Sequence, residues 1–95
     1  MSSLTVDQVA LQLDSLAGWQ QDGNSLVKVF EFMDFASAIA FMTHSAFYAE
    51  QLEHHPKWEN YHNIVSVRIG DSEQGAVQSR DVQLAKRLQA VAEKL

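Results

Sequence analysis

The order of apolar and polar positions divides the chain into seven segments. Val6, Val9, Ala10 and Leu13 recur at helical spacing, and Thr5-Val6-Asp7-Gln8 supplies a capping box ahead of them. A short helix is predicted from about Val6 to Asp14. Two β-prone runs follow, one after Leu16 and one over Ser25 to Phe32, separated by Asp22-Gly23-Asn24. Asp-Gly between such runs signals a hairpin, because glycine accepts the positive φ of a tight turn. In the second run Leu26, Lys28, Phe30 and Phe32 face one side, and Val27, Val29 and Glu31 the other.

Asp34 is placed to cap the longest helical segment, Phe35 to about Glu53. Steps of three and four assign its core face to Phe35, Ile39, Met42, Ala46 and Ala49, with Phe41, Tyr48 and Leu52 beside it. Pro56 is the only proline and pushes His55 out of the α region, so the helix ends near Glu53 or His54. Trp58 to Ile69 reads as extended, with Val65, Val67 and Ile69 alternating against Ile64, Ser66 and Arg68. A polar loop from Gly70 to Gly75 leads to a last helix, capped by Ser79 or a neighbour and carrying Leu84, Leu88, Val91 and Leu95 on one face. The order is α-β-β-α-β-β-α. It implies an α+β fold with a four-stranded antiparallel sheet and helices packed on one face.

Composition narrows the function classes. Residues 1–95 suffice for a single domain with one modest core, so pairing between copies is expected. A net charge of −5, with basic residues scattered, argues against direct nucleic-acid binding. The absence of cysteine removes disulfides, thiolate metal sites and thiol nucleophiles. Neither a signal peptide nor a membrane-length apolar run is visible, so a cytoplasmic protein is expected.

Candidate chemistry gathers between Glu50 and His62. Glu50 and His54 stand four apart and share a helix face if the helix reaches His54. His55, held extended before Pro56, aims elsewhere. Two adjacent histidines pointing apart suit flanking a substrate better than chelating one ion. A metal site would need His62 or Glu50 as a further ligand, without any recognised spacing. Trp58 and Tyr61 are read first as core or interface residues. Spacing alone identifies no function.

The order of residues adds a resemblance. Gly18-Trp19, Phe30-x-Phe32-x-x-Phe35, Ala38-x-x-Phe41-Met42, Ala49-Glu50-x-x-x-His54-His55-Pro56-x-Trp58-x-Asn60, Val65-x-Val67 and Arg80-Asp81-x-x-Leu84-Ala85 together resemble the pterin-4a-carbinolamine dehydratases. That likeness implies dimers or tetramers and loss of water from a 4a-hydroxytetrahydropterin, giving the quinonoid dihydropterin without metal or cofactor. His54 and His55 would then be the acid–base pair, with Glu50 orienting His54. Pro56, Trp58, His62, Ser72 and Asp81 would bind or orient the substrate. The family carries a third histidine in a Thr-His pair that aligns with Asp71-Ser72, so Ser72 stands where an imidazole is expected. A weak or inactive dehydratase-like scaffold is therefore the alternative. Within the resemblance, this would be an assembly factor, for example for Rubisco, or a protein-binding coactivator.

Overall fold

The structure, a computed structural model, describes residues 3–70 and 73–95. Its elements are α1 (Val6–Leu13), β1 (Gln20–Asp22), β2 (Ser25–Glu31), α2 (Phe35–Leu52), β3 (Lys57–Tyr61), β4 (Ile64–Ile69) and α3 (Ser79–Glu93). The strands form one antiparallel sheet in the order β1-β2-β4-β3. The sheet buries one face against the helices, as the alternation predicts. Leu26 pairs with Ile69 and Phe30 with Val65, all four buried. On the opposite face Val29 is paired with Ser66 and both are exposed.

Local chemistry explains most element ends. The capping box at α1 is complete, with Gln8 N–H donating to Thr5 Oγ1 (3.1 Å) and Thr5 N–H to Gln8 Oε1 (2.8 Å). Gly23 takes a φ of 61° in the hairpin turn. Asp34 caps α2 by accepting from Ser37 N–H at 2.8 Å. This bond to the amide holds the Asp34 carboxyl below the usual carboxylate range. The cap of α3 is Gln78, with Ser79 the first helical residue.

One expected face is wrong. The buried stripe of α2 is Ala38, Phe41, Ser45 and Ala49, about a quarter turn from the expected one, while Phe35, Ile39 and Ala46 are exposed. Small residues let the helix sit close to the sheet and α3, and Phe41 is the large buried side chain of the stripe. Its ring lies 4.7 Å from Phe30, 5.0 Å from Phe32 and 6.4 Å from Trp58. Steps of three and four do not single out this face, because apolar residues run around most of the helix. Lys28 points inward as the alternation requires, and Nζ donates to Ala17 O (2.7 Å) and Gln89 Oε1 (2.8 Å). Burial pushes its amine below the ordinary lysine range, against the opposing pull of Glu93.

Candidate functional site

Antiparallel pairing carries distant segments to one end of the sheet. The β1–β2 turn, the end of β4, the start of β3, the C-terminus of α2 and the N-terminus of α3 all meet there. Between them lies a cleft of about 700 Å³, lined among others by Asn24, His54, His55, Arg68, Gln74 and Arg80. A second cleft, about 560 Å³, lies along Gly18, Val29, Glu59 and Ser66 and contains none of the histidines. The candidate histidines therefore belong to the first.

Helix α2 ends so as to send its two histidines apart. Glu53 adopts the left-handed conformation (φ 51°, ψ 40°), and His54 N–H reaches back to Ala49 O at 3.0 Å. That six-residue closure turns the chain out of the helix, and Pro56 prevents its resumption. His54 turns inward, where it retains 9% of its surface, and its Nε2 is hydrogen-bonded to Oδ1 of the fully buried Asp81. Oδ2 of the same carboxylate accepts from Gln74 Nε2 and from Gln78 N–H, each at 2.8 Å. His55 turns outward, and its Nε2 meets Glu50 Oε1 at 3.1 Å.

The two pairs differ in weight. His55 and Glu50 have side chains 65% and 77% exposed, so their pairing adds at most about 1 kcal/mol and serves mainly to aim the ring. Asp81 is sealed from water, and removing one partner of a buried pair costs on the order of 3–5 kcal/mol. Each histidine keeps Nδ1 turned away from its carboxylate. The site thus offers two imidazoles, each oriented by its own carboxylate, at the mouth of one cleft.

The expected partnership of Glu50 with His54 is corrected. The helix stops at Leu52, so the four-residue spacing never places them on a common helical face, and Glu50 serves His55 instead. His62 is also misplaced by the sequence reading. It occupies the β3–β4 turn with φ 54°, at the opposite end of strand β3 from Lys57, and does not line the cleft. Trp58 lies half-buried on the helix-facing side of β3, packed near Phe41, and Pro56 shapes the chain beside the cleft without lining it. Ser72 lies outside the described residues.

Arg68, Gln74, Arg80 and the Asp22–Ser25 turn escaped the sequence reading as site residues. Arg68 donates to Asp22 Oδ2 at 2.5 Å, and Arg80 leaves Nε buried without a hydrogen-bond partner. Only the Arg80-Asp81 adjacency hinted at any of this.

Comparison with known proteins agrees with this fold. Residues 2–91 match the family model described as pterin 4 alpha carbinolamine dehydratase. A Rhizorhabdus wittichii protein provisionally named pterin-4-alpha-carbinolamine dehydratase is 39% identical over 92 residues, covering 95% of both chains. A Brucella ovis protein with the same provisional name is 37% identical over 91 residues, 94% of each. The crystal structure of a transcriptional coactivator/pterin dehydratase from Brucella melitensis superposes with a TM-score of 0.89 at 34% identity, covering 96% of this chain and 99% of that one. A pterin dehydratase-like protein identified as a RuBisCO assembly factor in the alpha-carboxysome shares the fold. Its TM-score is 0.64 at 24% identity, over 78% of this chain and 86% of that one. The chain belongs to the pterin 4 alpha carbinolamine dehydratase family.

Proposed function

We propose that the protein dehydrates a 4a-hydroxytetrahydropterin to the quinonoid dihydropterin. The observation that carries this reading is the pair of adjacent imidazoles, His54 backed by Asp81 and His55 backed by Glu50, opening on one cleft. In the elimination the N5 lone pair forms a double bond to C4a as the C4a–O bond breaks. One imidazolium gives its proton to the departing hydroxyl, which leaves as water, and the other imidazole takes the proton from N5. Protons balance, and the two carboxylates accompany the charge as it moves between rings. Arg68 and Arg80 give the cleft polar walls suited to a heteroatom-rich bicycle. With Ser72 in place of a third imidazole, turnover is expected to be slower than in relatives that carry one, since an acid–base group typically contributes about 10²–10⁴-fold.

Generating the 4a-hydroxypterin in situ and following its decay tests the reading. Decay faster than buffer, lost in His54→Gln and His55→Gln, supports it. A rate equal to buffer at micromolar protein overturns it.

A second reading, service as a protein-binding scaffold, is favoured by the exposed Phe35, Ile39 and Phe47 of α2. Self-association into dimers or tetramers would draw on the same helix and on the outer edge of β3, which among the described residues pairs with β4 alone. Co-purification of a stable partner by a catalytically silent protein would favour the scaffold.

A further inference from the structure

Gln74 holds a position that nothing in the proposed chemistry has yet used. Its Nε2 donates to Asp81 Oδ2 at 2.8 Å and to Asn24 O at 3.0 Å. Both amide hydrogens are thus directed within the protein, one onto the buried carboxylate and one onto the β1–β2 turn. Three separate pieces of chain, the hairpin turn, the loop after β4 and the first turn of α3, are tied together through this side chain. The backbone has made room for it. Gly70 has a φ of 90°, and a Cβ placed there would lie 2.6 Å from Gln74 Nε2 and 3.1 Å from Asn24 O. Even an alanine at position 70 would displace the amide.

We propose that Gln74 is a positioning residue of the dehydratase site, fixing the Asp81 carboxylate so that Oδ1 stays directed at His54. The proposal rests on the dehydratase reading for its kinetic consequences and on geometry alone for its structural ones. An amide does not exchange protons as a general acid or base does, so Gln74 cannot stand in for a missing imidazole. It can only hold one. Without Gln74, Oδ2 would keep only the Gln78 N–H, and the carboxylate would be held less firmly against rotation about its Cβ–Cγ bond. His54 would follow, and a misplacement of about 1 Å at a reacting group can cost on the order of 10²-fold in rate.

Gln74→Met keeps length and volume while removing both donors, and Gly70→Ala displaces the amide without removing it. Three readouts are needed: kcat and KM for dehydration, the thermal midpoint, and the low-field proton resonance of the His54–Asp81 hydrogen bond. The resonance is recorded without substrate. Gln74→Met is expected to lower kcat by about 10–100-fold with KM nearly unchanged, and to shift or broaden the low-field resonance. Gly70→Ala should do the same in the wild-type background. In the Gln74→Met background it should alter only the thermal midpoint, because the group it displaces is gone. A Gln74→Met protein with an intact resonance, or with unchanged kcat and a lowered midpoint, would overturn the proposal and leave a loop staple. Should the wild type prove inactive, the dehydratase reading falls by itself, and the resonance still decides whether Gln74 aims the His54–Asp81 pair.

Discussion

The two ends of the sheet carry similar local features and build very different surroundings. Each has a histidine beside a left-handed backbone residue, Glu53 (φ 51°) before His54 at one end and His62 itself (φ 54°) at the other. At the His54 end, five segments from across the chain converge, and a buried carboxylate receives three donors. At the His62 end a two-residue turn joins β3 to β4. Asn60 Nδ2 donates locally to His62 O (3.0 Å) and Ile64 O (2.9 Å), and one longer-range tie, Asn63 Nδ2 donating to Phe32 O (2.8 Å), joins the turn to the end of β2, but none of these bonds reaches the His62 ring. The contrast shows that residue type and backbone conformation are insufficient for a site. What differs is the number of separate elements that fix the side chain.

The largest effect is expected at Asp81. Asp81→Ala should destabilise the fold by about 3–5 kcal/mol, because His54, Gln74 and the Gln78 amide all lose a buried partner. Chemical denaturation measures this, and a loss below 1 kcal/mol would contradict the network. Next come the histidines. His54→Gln and His55→Gln should each slow dehydration by roughly 10²–10⁴-fold, whereas His62→Gln should leave the rate unchanged and stability within about 0.5 kcal/mol. A rate loss at His62 matching that at His54 would erase the distinction between the two ends.

Smaller effects come from the backbone. Glycine at either left-handed position relieves steric strain and should add up to about 1 kcal/mol of stability, read by denaturation. His62→Gly should do so without kinetic consequence, while Glu53→Gly should also change kcat, since that turn aims both histidines. The least effect lies at Asp34, the cap at the upper end of α2. Its folded carboxyl titrates below the unfolded one, so its contribution is present above the ordinary carboxylate range and is lost as pH falls through it. Asp34→Ala should therefore lower the thermal midpoint by a few degrees near neutrality, with the gap to wild type closing in acid. A gap independent of pH would show that the cap acts without its charge.

Much of this molecule was legible in the chain. Thr5 and Gln8, Asp22-Gly23, Asp34 and Pro56 mark element ends through bonds and torsions that span a few residues, and the structure places those ends accordingly. Strand alternation gave the inward set Leu26, Phe30, Val65, Val67 and Ile69 because a pleat has period two whatever covers it. The rotation of α2 was not legible. A helix with apolar residues around most of its circumference has no unique stripe, and the choice of Ala38, Phe41, Ser45 and Ala49 was made by how closely the sheet and α3 approach.

The site divides along the same line. The local segment Glu50 to Pro56 announced two histidines aimed apart, since a proline four residues after the helix end leaves little freedom. Which carboxylate serves which histidine was decided only by tertiary structure. Glu50 is near both in sequence, and Asp81 is 27 residues from His54. Gln74 and Asn24 are 50 residues apart and meet because antiparallel strands return the chain to the same end of the sheet. Local chemistry fixes where a chain turns and which side a strand shows. Partners across the fold depend on packing distances and strand order, and for these the chain alone holds no short-range signal.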